Sequence, residues 1–593
     1  MDKATNRSTS HHRSGSQPFL PNRLFRSFIL SVALVSVTTT QAAAQSIIEG
    51  ERNHPVVAKQ GMVATSHHLA TDVALKVLAN GGNAIDASVT AGFALAVTQP
   101  RSGNIGGGGF MLLSSEKNDE VVAIDYREKA PKAAYEKMFQ DKDGNVVKQL
   151  SRFSHTSAGV PGTVAGLALA LEKYGTISLQ QALAPAIKLA SEGFIVPPRF
   201  TNGLEAKKER LQKWASTKAA FYKEDGSTYQ PGELFKQPDL AATLQRISDQ
   251  GIKGFYEGKT AQLIVDDMKQ NGGLITLEDL KNYQPQVRKP VQGNYRGYDI
   301  YSMSPPSSGG THVVQILNTL EGFPIGQYGH NSAKSIHLMA ESMKQAYADR
   351  SEYLGDMDFV SVPVKGLTDK KYAAHIRSQI DPYQAKPSVE IKPGTPAAYE
   401  SDETTHFSIV DQWGNAVSNT YTINFSYGSG IVVPGAGFIL NNEMDDFSAK
   451  PGVPNAYGLI GGDANKIEPE KRMLSSMSPT IVKKDGRNFL VTGSPGGSRI
   501  ITTTLQVIMN VVDHGMNIQS AVAAPRIHHQ WLPDEIRIEQ GISPDTVQLL
   551  ESMGHTVTPK SSMGAIQSIM VGEDGTLYGA ADPRRSTSSA KGF

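Results

Sequence analysis

The 593-residue chain contains no cysteine, which excludes disulfide scaffolds, thiolate metal sites and cysteine nucleophiles together. It also lacks an excess of charge. Lysine and arginine number 58 against 57 acidic residues, a formal net charge of +1, so no broad field draws nucleic acid or anionic lipid. No stretch reaches the ~18 consecutive apolar residues that a membrane span needs. What is there is ordinary for a globular protein: 39% hydrophobic and 19% charged residues, in a chain too long for one average domain and long enough for a large core.

The first 27 residues set Lys3, Arg7, Arg13, Arg23 and Arg26 against the single acid Asp2. FILSVALVSV (28–37) and the small-residue stretch TQAAAQS (40–46) follow. Basic region, short apolar core and A-x-A-like site together describe a secretory signal peptide, residues 1–44, cut after Ala44. The mature protein is then expected to be periplasmic or secreted, without a membrane span.

Helical signals dominate up to about residue 380. TDVALKVLANGG (71–82) reads as a helix closed by glycine, and NAIDASVTAGFALAVTQP (83–100) as a helix buried on nearly every face and stopped by Pro100. In SLQQALAPAIKLASEG (178–193), Ser178 and Gln181 have capping-box spacing, and Leu179, Leu183, Ile187 and Ala190 form a stripe. Residues 385–400 have no period and read as an exposed connector. Beyond them the period becomes two: Phe407 and Ile409 alternate with His406 and Ser408, DQWGN (411–415) turns the chain, and strand patterns recur at 487–493 and 567–572 around a helix-like stretch near 501–514. Helices first and strands later suggest an α/β sandwich built by the whole chain.

The densest chemistry lies between 400 and 500. A threonine pair, Thr404–Thr405, heads a strand immediately after an acidic segment. By itself such a pair is ordinary β propensity. Its company is not: NNEMDDFSAKPG (441–452) clusters amides with carboxylates, KRMLSSMSPT (471–480) carries paired serines, and GSPGGSR (493–499) puts two glycines after an apolar strand, where backbone N–H groups can converge on an anion. Other signals are weaker. GNIGGGG (103–109) follows a helix-like run where a dinucleotide site needs a strand. His528 and His529 are adjacent, with no carboxylates at ligand spacing, and read as structural. Ser588 and Lys591 fit S-x-x-K without the partner motifs of a penicillin-recognising enzyme. No metal and no cofactor is expected.

ETTHFSIVD, NNEMDDFSAKPGVPNAYGL, LSSMSPTIV and GSPGGSR, together with SGNIGGGGFML (102–113), DYREKAP (125–131) and PPSSGG (305–310), resemble γ-glutamyltransferases in order and spacing, from about residue 50 to 590. The resemblance implies an N-terminal-nucleophile hydrolase fold, a four-layer αββα sandwich. It also implies a precursor that cuts itself between Glu403 and Thr404 into a large subunit (45–403) and a small catalytic one (404–593), held as a heterodimer. Thr404 would be the nucleophile, with its freed α-amine as base and Thr422 as its hydrogen-bond partner. Gly496 and Gly497 would form the oxyanion hole. Arg127, Ser475 and Ser476 would hold the α-carboxylate of a γ-glutamyl group, and Asn424, Glu443 and Asp446 its α-ammonium. Residues 451–462 would form a lid with Tyr457 at its tip. Glutathione and other γ-glutamyl compounds are the implied donors; water, amino acids and peptides are the implied acceptors. Glu443 stands where some members of the family carry glutamine, which leaves the balance of hydrolysis and transfer open. Two alternatives are a glutaryl or cephalosporin acylase of the same fold and a non-catalytic periplasmic amino-acid-binding protein.

Overall fold

The computed structural model of the chain describes residues 54–396 and 406–593. The expected signal peptide, the expected cut between Glu403 and Thr404, and Thr404 itself lie outside the described residues.

Two seven-stranded antiparallel sheets carry the architecture. One runs, in spatial order, Ser589–Gly592, Met62–Thr65, Phe407–Val410, Ala416–Thr422, Gly108–Ser115, Glu120–Tyr126 and Gln286–Arg288. The other runs Val56–Ala58, Leu577–Ala581, Gln567–Val571, Arg487–Thr492, Thr480–Lys484, Tyr298–Ser302 and Val291–Tyr295. Their inner faces share one apolar cluster, in which Ala64, Phe110, Leu112 and Ala123 meet Ile481, Val491 and Ile569. Polar side chains also bridge the sheets: Ser408 Oγ donates to the carbonyls of Val491 and Gln567 at 3.1 and 3.0 Å.

Each outer face carries a helical layer. Met111, Leu113 and Ile124 point outward from the first sheet into a core shared with helices His68–Ala79, Ala84–Thr98, Thr163–Tyr174 and Leu179–Glu192. Ile300, Val482 and Leu490 do the same on the second sheet, beneath Gly309–Glu321, Ala333–Tyr353 and Arg499–Val512. The order of layers is therefore α, β, β, α.

The helices begin where their caps dictate. Ser178 accepts from the Gln181 N–H while the Gln181 side chain accepts from the Ser178 N–H, so the predicted capping box is present. Ala84–Thr98 is buried at every residue. Its capping box joins Asn83 to Asp86, and the buried Asp86 carboxylate also accepts from the Thr176 N–H and hydroxyl at 2.7 and 2.6 Å. The hairpin forms as read, Phe407–Val410 and Ala416–Thr422 around Asp411–Asn415, with Phe407 opposite Asn419. One expectation is corrected. The region before the connector is not mainly helical, since it supplies half the strands of the two sheets. GGFMLLSS (108–115) is buried on both faces and so shows no polar alternation to mark it as a strand.

Candidate active site

A cavity of about 400 Å³ opens where the two sheets and their loops meet, within the roughly 300–1,000 Å³ usual for small-molecule sites. Arg127, Thr422, Asn424, Glu443, Asp446, Tyr457, Ser475, Ser476, Gly496 and Gly497 all line it. Every candidate site residue from the sequence that falls among the described residues is thus brought to one place, from segments more than 350 positions apart.

Arg127 follows the strand Glu120–Tyr126 and is fully buried. Its Nη1 lies 2.7 Å from Glu443 Oε2 and 3.6 Å from Glu128 Oε2, its Nη2 lies 2.7 Å from Asp446 Oδ2, and its Nε donates to the Met473 carbonyl at 3.2 Å. Glu443 and Asp446 share the single turn Glu443–Asp446. That turn is pinned by its neighbours: Asn441 accepts from the Glu443 N–H and grips the Gly106 and Gly159 carbonyls, while Asp445 accepts from the Ser151 hydroxyl at 2.6 Å. Within NNEMDDF, Asn441 and Asp445 therefore build the scaffold, and Glu443 and Asp446 face the cavity.

Three buried carboxyls thus surround one guanidinium. Burial pushes the Glu443 carboxyl well above the usual range, and the neighbouring Glu128 and Asp446 add to it against the pull of Arg127. Burial likewise raises Glu128, to about 8, and raises Asp446. Such a group stays protonated in the folded protein where the unfolded chain has already ionised. Folding stability must then fall as pH rises from the ordinary glutamate range toward 8 and level off above it. Glu128→Gln is expected to flatten that slope: between pH 5 and 8 its Tm should decline less than that of the native protein. Parallel decline of the two by calorimetry would show that Glu128 does not carry the effect.

The serine pair is held by the loop PPSSGG (305–310). The Ser475 N–H donates to the Pro306 carbonyl at 2.8 Å, and the Ser308 N–H to the Ser475 carbonyl at 3.1 Å. Sequence reasoning missed Arg350, on helix Ala333–Tyr353, which also lines the cavity. It donates to Ser308 Oγ at 2.9 Å and Ser476 Oγ at 3.1 Å. Because the guanidinium occupies a lone pair of Ser476 Oγ, the hydroxyl proton is left to point elsewhere.

Opposite stand Gly496 and Gly497, with φ of +145° and +61°, conformations that side chains other than glycine's rarely adopt. They precede helix Arg499–Val512, and among the described residues neither N–H donates to another protein group. A Cβ on Gly497 would stand 2.6 Å from the Tyr457 ring. Tyr457 belongs to the 451–462 loop, which folds over the cavity, and its hydroxyl donates to Asn424 Oδ1 at 2.7 Å. Thr422 ends its strand with its hydroxyl accepting from the Asn424 N–H at 2.7 Å, so its own proton is free to be donated. GNIGGGG takes a scaffolding place beside it: Asn104 Nδ2 donates to the Thr422 carbonyl at 2.9 Å.

His528 and His529 do not line this cavity. His528 is hydrogen-bonded to Thr502 and Gln530, and burial lowers its pKa to about 3; His529 contacts Asp534 at 3.2 Å. Among the described residues one group has metal-ligand proximity, His337, Glu341 and His555, away from the cavity lining. There the two imidazoles hydrogen-bond each other at 2.7 Å and Glu341 is already paired with Lys344 at 2.8 Å. No helix among the described residues is long and apolar enough to cross a membrane.

Comparison with known proteins agrees with this geometry. The chain is 55% identical to the glutathione hydrolase proenzyme of Escherichia coli (strain K12) over 547 residues, 92% of this chain and 94% of that one. It is 47% identical to the glutathione hydrolase proenzyme of Pseudomonas sp. (strain A14) over 585 residues, 97% of this chain and 100% of that one. Its fold is similar to the crystal structure of cephalosporin acylase from Bacillus halodurans, with a TM-score of 0.82 and 29% identity, covering 93% of this chain and 98% of that one. The four layers are those of the N-terminal-nucleophile hydrolases. The profile of the gamma-glutamyltranspeptidase family matches residues 70–592, and the chain belongs to that family.

Proposed function

We propose that the cavity receives a γ-glutamyl group and that Thr404, freed by self-cleavage after Glu403, takes it up as an acyl-enzyme. The activity is that of a γ-glutamyltransferase and glutathione hydrolase. The observation that carries the reading is the imbalance at Arg127: three buried carboxyls around one guanidinium are short of positive charge, and the α-ammonium of a γ-glutamyl group supplies it. On binding, the α-carboxylate takes the Arg127 fork with help from Ser475 and Ser476. The ammonium takes the released oxygens of Glu443 and Asp446, with Asn424 beside them. A glutaryl side chain has no ammonium to offer, which favours γ-glutamyl compounds over the acylase alternative.

The scissile γ-carbonyl then lies toward Gly496 and Gly497. The register that pairs Phe407 with Asn419, carried three residues further along both strands, pairs position 404 with Thr422. Attack by the Thr404 hydroxyl forms a C–O bond while its proton passes to the α-amine, whose reference pKa of roughly 7.7–8.0 suits a base near neutrality. Collapse of the oxyanion breaks the C–N bond, and the same proton leaves on the amine. Water then gives hydrolysis, and an amino acid or peptide amine gives transfer. Large and small subunits remain together as a heterodimer, and the basic-apolar amino terminus exports the precursor to the periplasm or beyond.

Gly497→Ala tests the oxyanion role. It strains the backbone and drives a methyl into Tyr457, so kcat should fall about a hundredfold, the usual loss for one such donor. Unchanged kcat would remove Gly497 from the site. The reading as a whole is tested by incubating the protein with glutathione and assaying glutamate and cysteinylglycine, with glycylglycine added to reveal a γ-glutamyl tripeptide. Turnover of a glutaryl amide with none of glutathione would overturn it.

A further inference from the structure

The cavity has two ends of opposite character. At the buried end Arg127 is outnumbered by carboxyls; toward the open end lie Arg101, Lys207, Arg210 and Arg585, and the lining there contains no acid. Arg101 and Arg210 are anchored on one residue: Arg101 Nη2 donates to Ser426 Oγ at 2.9 Å, and Arg210 Nη2 to the Ser426 carbonyl at 2.6 Å. Arg210 also donates to the Gly428 carbonyl at 2.9 Å and stacks over Phe153, its guanidinium carbon 4.8 Å from the ring centre. These contacts fix the position of the charge without neutralising it. Among the described residues none of Arg101, Arg199, Arg210 and Arg585 forms an ion pair with a carboxylate. The nearest acid acting on Arg585 is Asp582, already committed to Arg526 at 2.6 Å and Arg584 at 3.2 Å. Burial and mutual repulsion hold Arg199 down to about 10 and Arg585 to about 9, Arg101 contributing to both. Positioned arginines of like charge facing a cavity, with no counter-ion, make a binding site for a planar anion.

Ser426 is two residues beyond Asn424, so this charge begins where the γ-glutamyl pocket ends. We propose that Arg101, Arg199, Arg210 and Arg585 form a carboxylate subsite for the amine half of the substrate, which selects donors and acceptors ending in a free carboxylate over neutral ones. The proposal rests on the γ-glutamyl reading above and specifies its substrate class: γ-glutamyl amino acids and peptides in preference to γ-glutamyl amines.

The test compares kcat/KM for glutathione with that for its glycine amide, which differs only in the terminal carboxylate. The native protein should prefer the acid by about tenfold or more, as expected for charge-assisted hydrogen bonds, and the preference should shrink as salt is added. In Arg101→Gln and in Arg585→Gln the ratio of the two values should fall toward one, and Arg101→Lys, which keeps the charge but not the fork, should restore part of it. A native protein that treats the two donors alike would overturn the subsite. So would variants that slow both donors equally and leave the ratio unchanged, since that is the mark of a structural role. Turnover of neither donor by the native protein would overturn the γ-glutamyl reading itself, and the subsite with it.

Discussion

Thr404→Ala is expected to yield an uncut precursor with no measurable turnover of glutathione, a loss of about a millionfold or more, the scale on which other hydrolases respond to loss of their nucleophile. Two effects coincide in this one substitution. The hydroxyl that would attack its own preceding peptide bond is gone, so the chain stays joined at Glu403. The α-amine is then never released, and the site lacks nucleophile and base together. Thr404→Ser separates the two: it retains a hydroxyl on the residue bearing the amine, and should still cut itself and turn over, more slowly. Electrophoresis under denaturing conditions and a glutathione assay check both variants. Two normal subunits from Thr404→Ala would refute the cleavage assignment.

Arg127→Lys should lower kcat/KM for glutathione by roughly a thousandfold, about 4 kcal/mol at 1.36 kcal/mol per tenfold. The charge survives, but the planar fork that reaches Glu443 and Asp446 at 2.7 Å each does not, and an ammonium cannot present two parallel donors to a carboxylate. The loss should fall mainly on KM, because Arg127 holds the α-carboxylate and not the bond that breaks. Arg127→Ala should also destabilise the protein by roughly 3–5 kcal/mol, the usual result of removing one partner from a buried charged cluster. Calorimetry beside steady-state kinetics separates the two losses. A native KM in Arg127→Lys would mean that the γ-glutamyl carboxylate is held elsewhere.

Legibility from sequence depended on how local each signal was. Helix Leu179–Glu192 announced itself because its cap, Ser178 with Gln181, lies within four residues. The hairpin at Phe407–Thr422 did so because DQWGN fixes its turn. Strands Gly108–Ser115 and Glu120–Tyr126 were hidden because the sheet they enter is covered on both faces, which removes the polar half of the alternation. The site followed the same rule. Glu443, Asp446, Ser475, Ser476, Gly496 and Gly497 sit in motifs long enough to identify. Glu128 lay inside DYREKAP, but only the three-dimensional arrangement shows it to be a third carboxyl at Arg127. Arg350 lies in an unremarkable helical sequence and acts through Ser308 and Ser476, contacts that no local pattern encodes. The arginines of the open end come from positions 101, 199, 210 and 585, too far apart to form a motif.

The central claim is that this protein works through a threonine exposed by its own cleavage, and intact mass spectrometry of the purified protein under denaturing conditions, run beside a glutathione assay, tests it most directly. The account predicts two chains, the smaller spanning 404–593 with Thr404 at its amino terminus, and turnover that rises with the fraction cut. A single uncut chain that hydrolyses glutathione at full rate would contradict it.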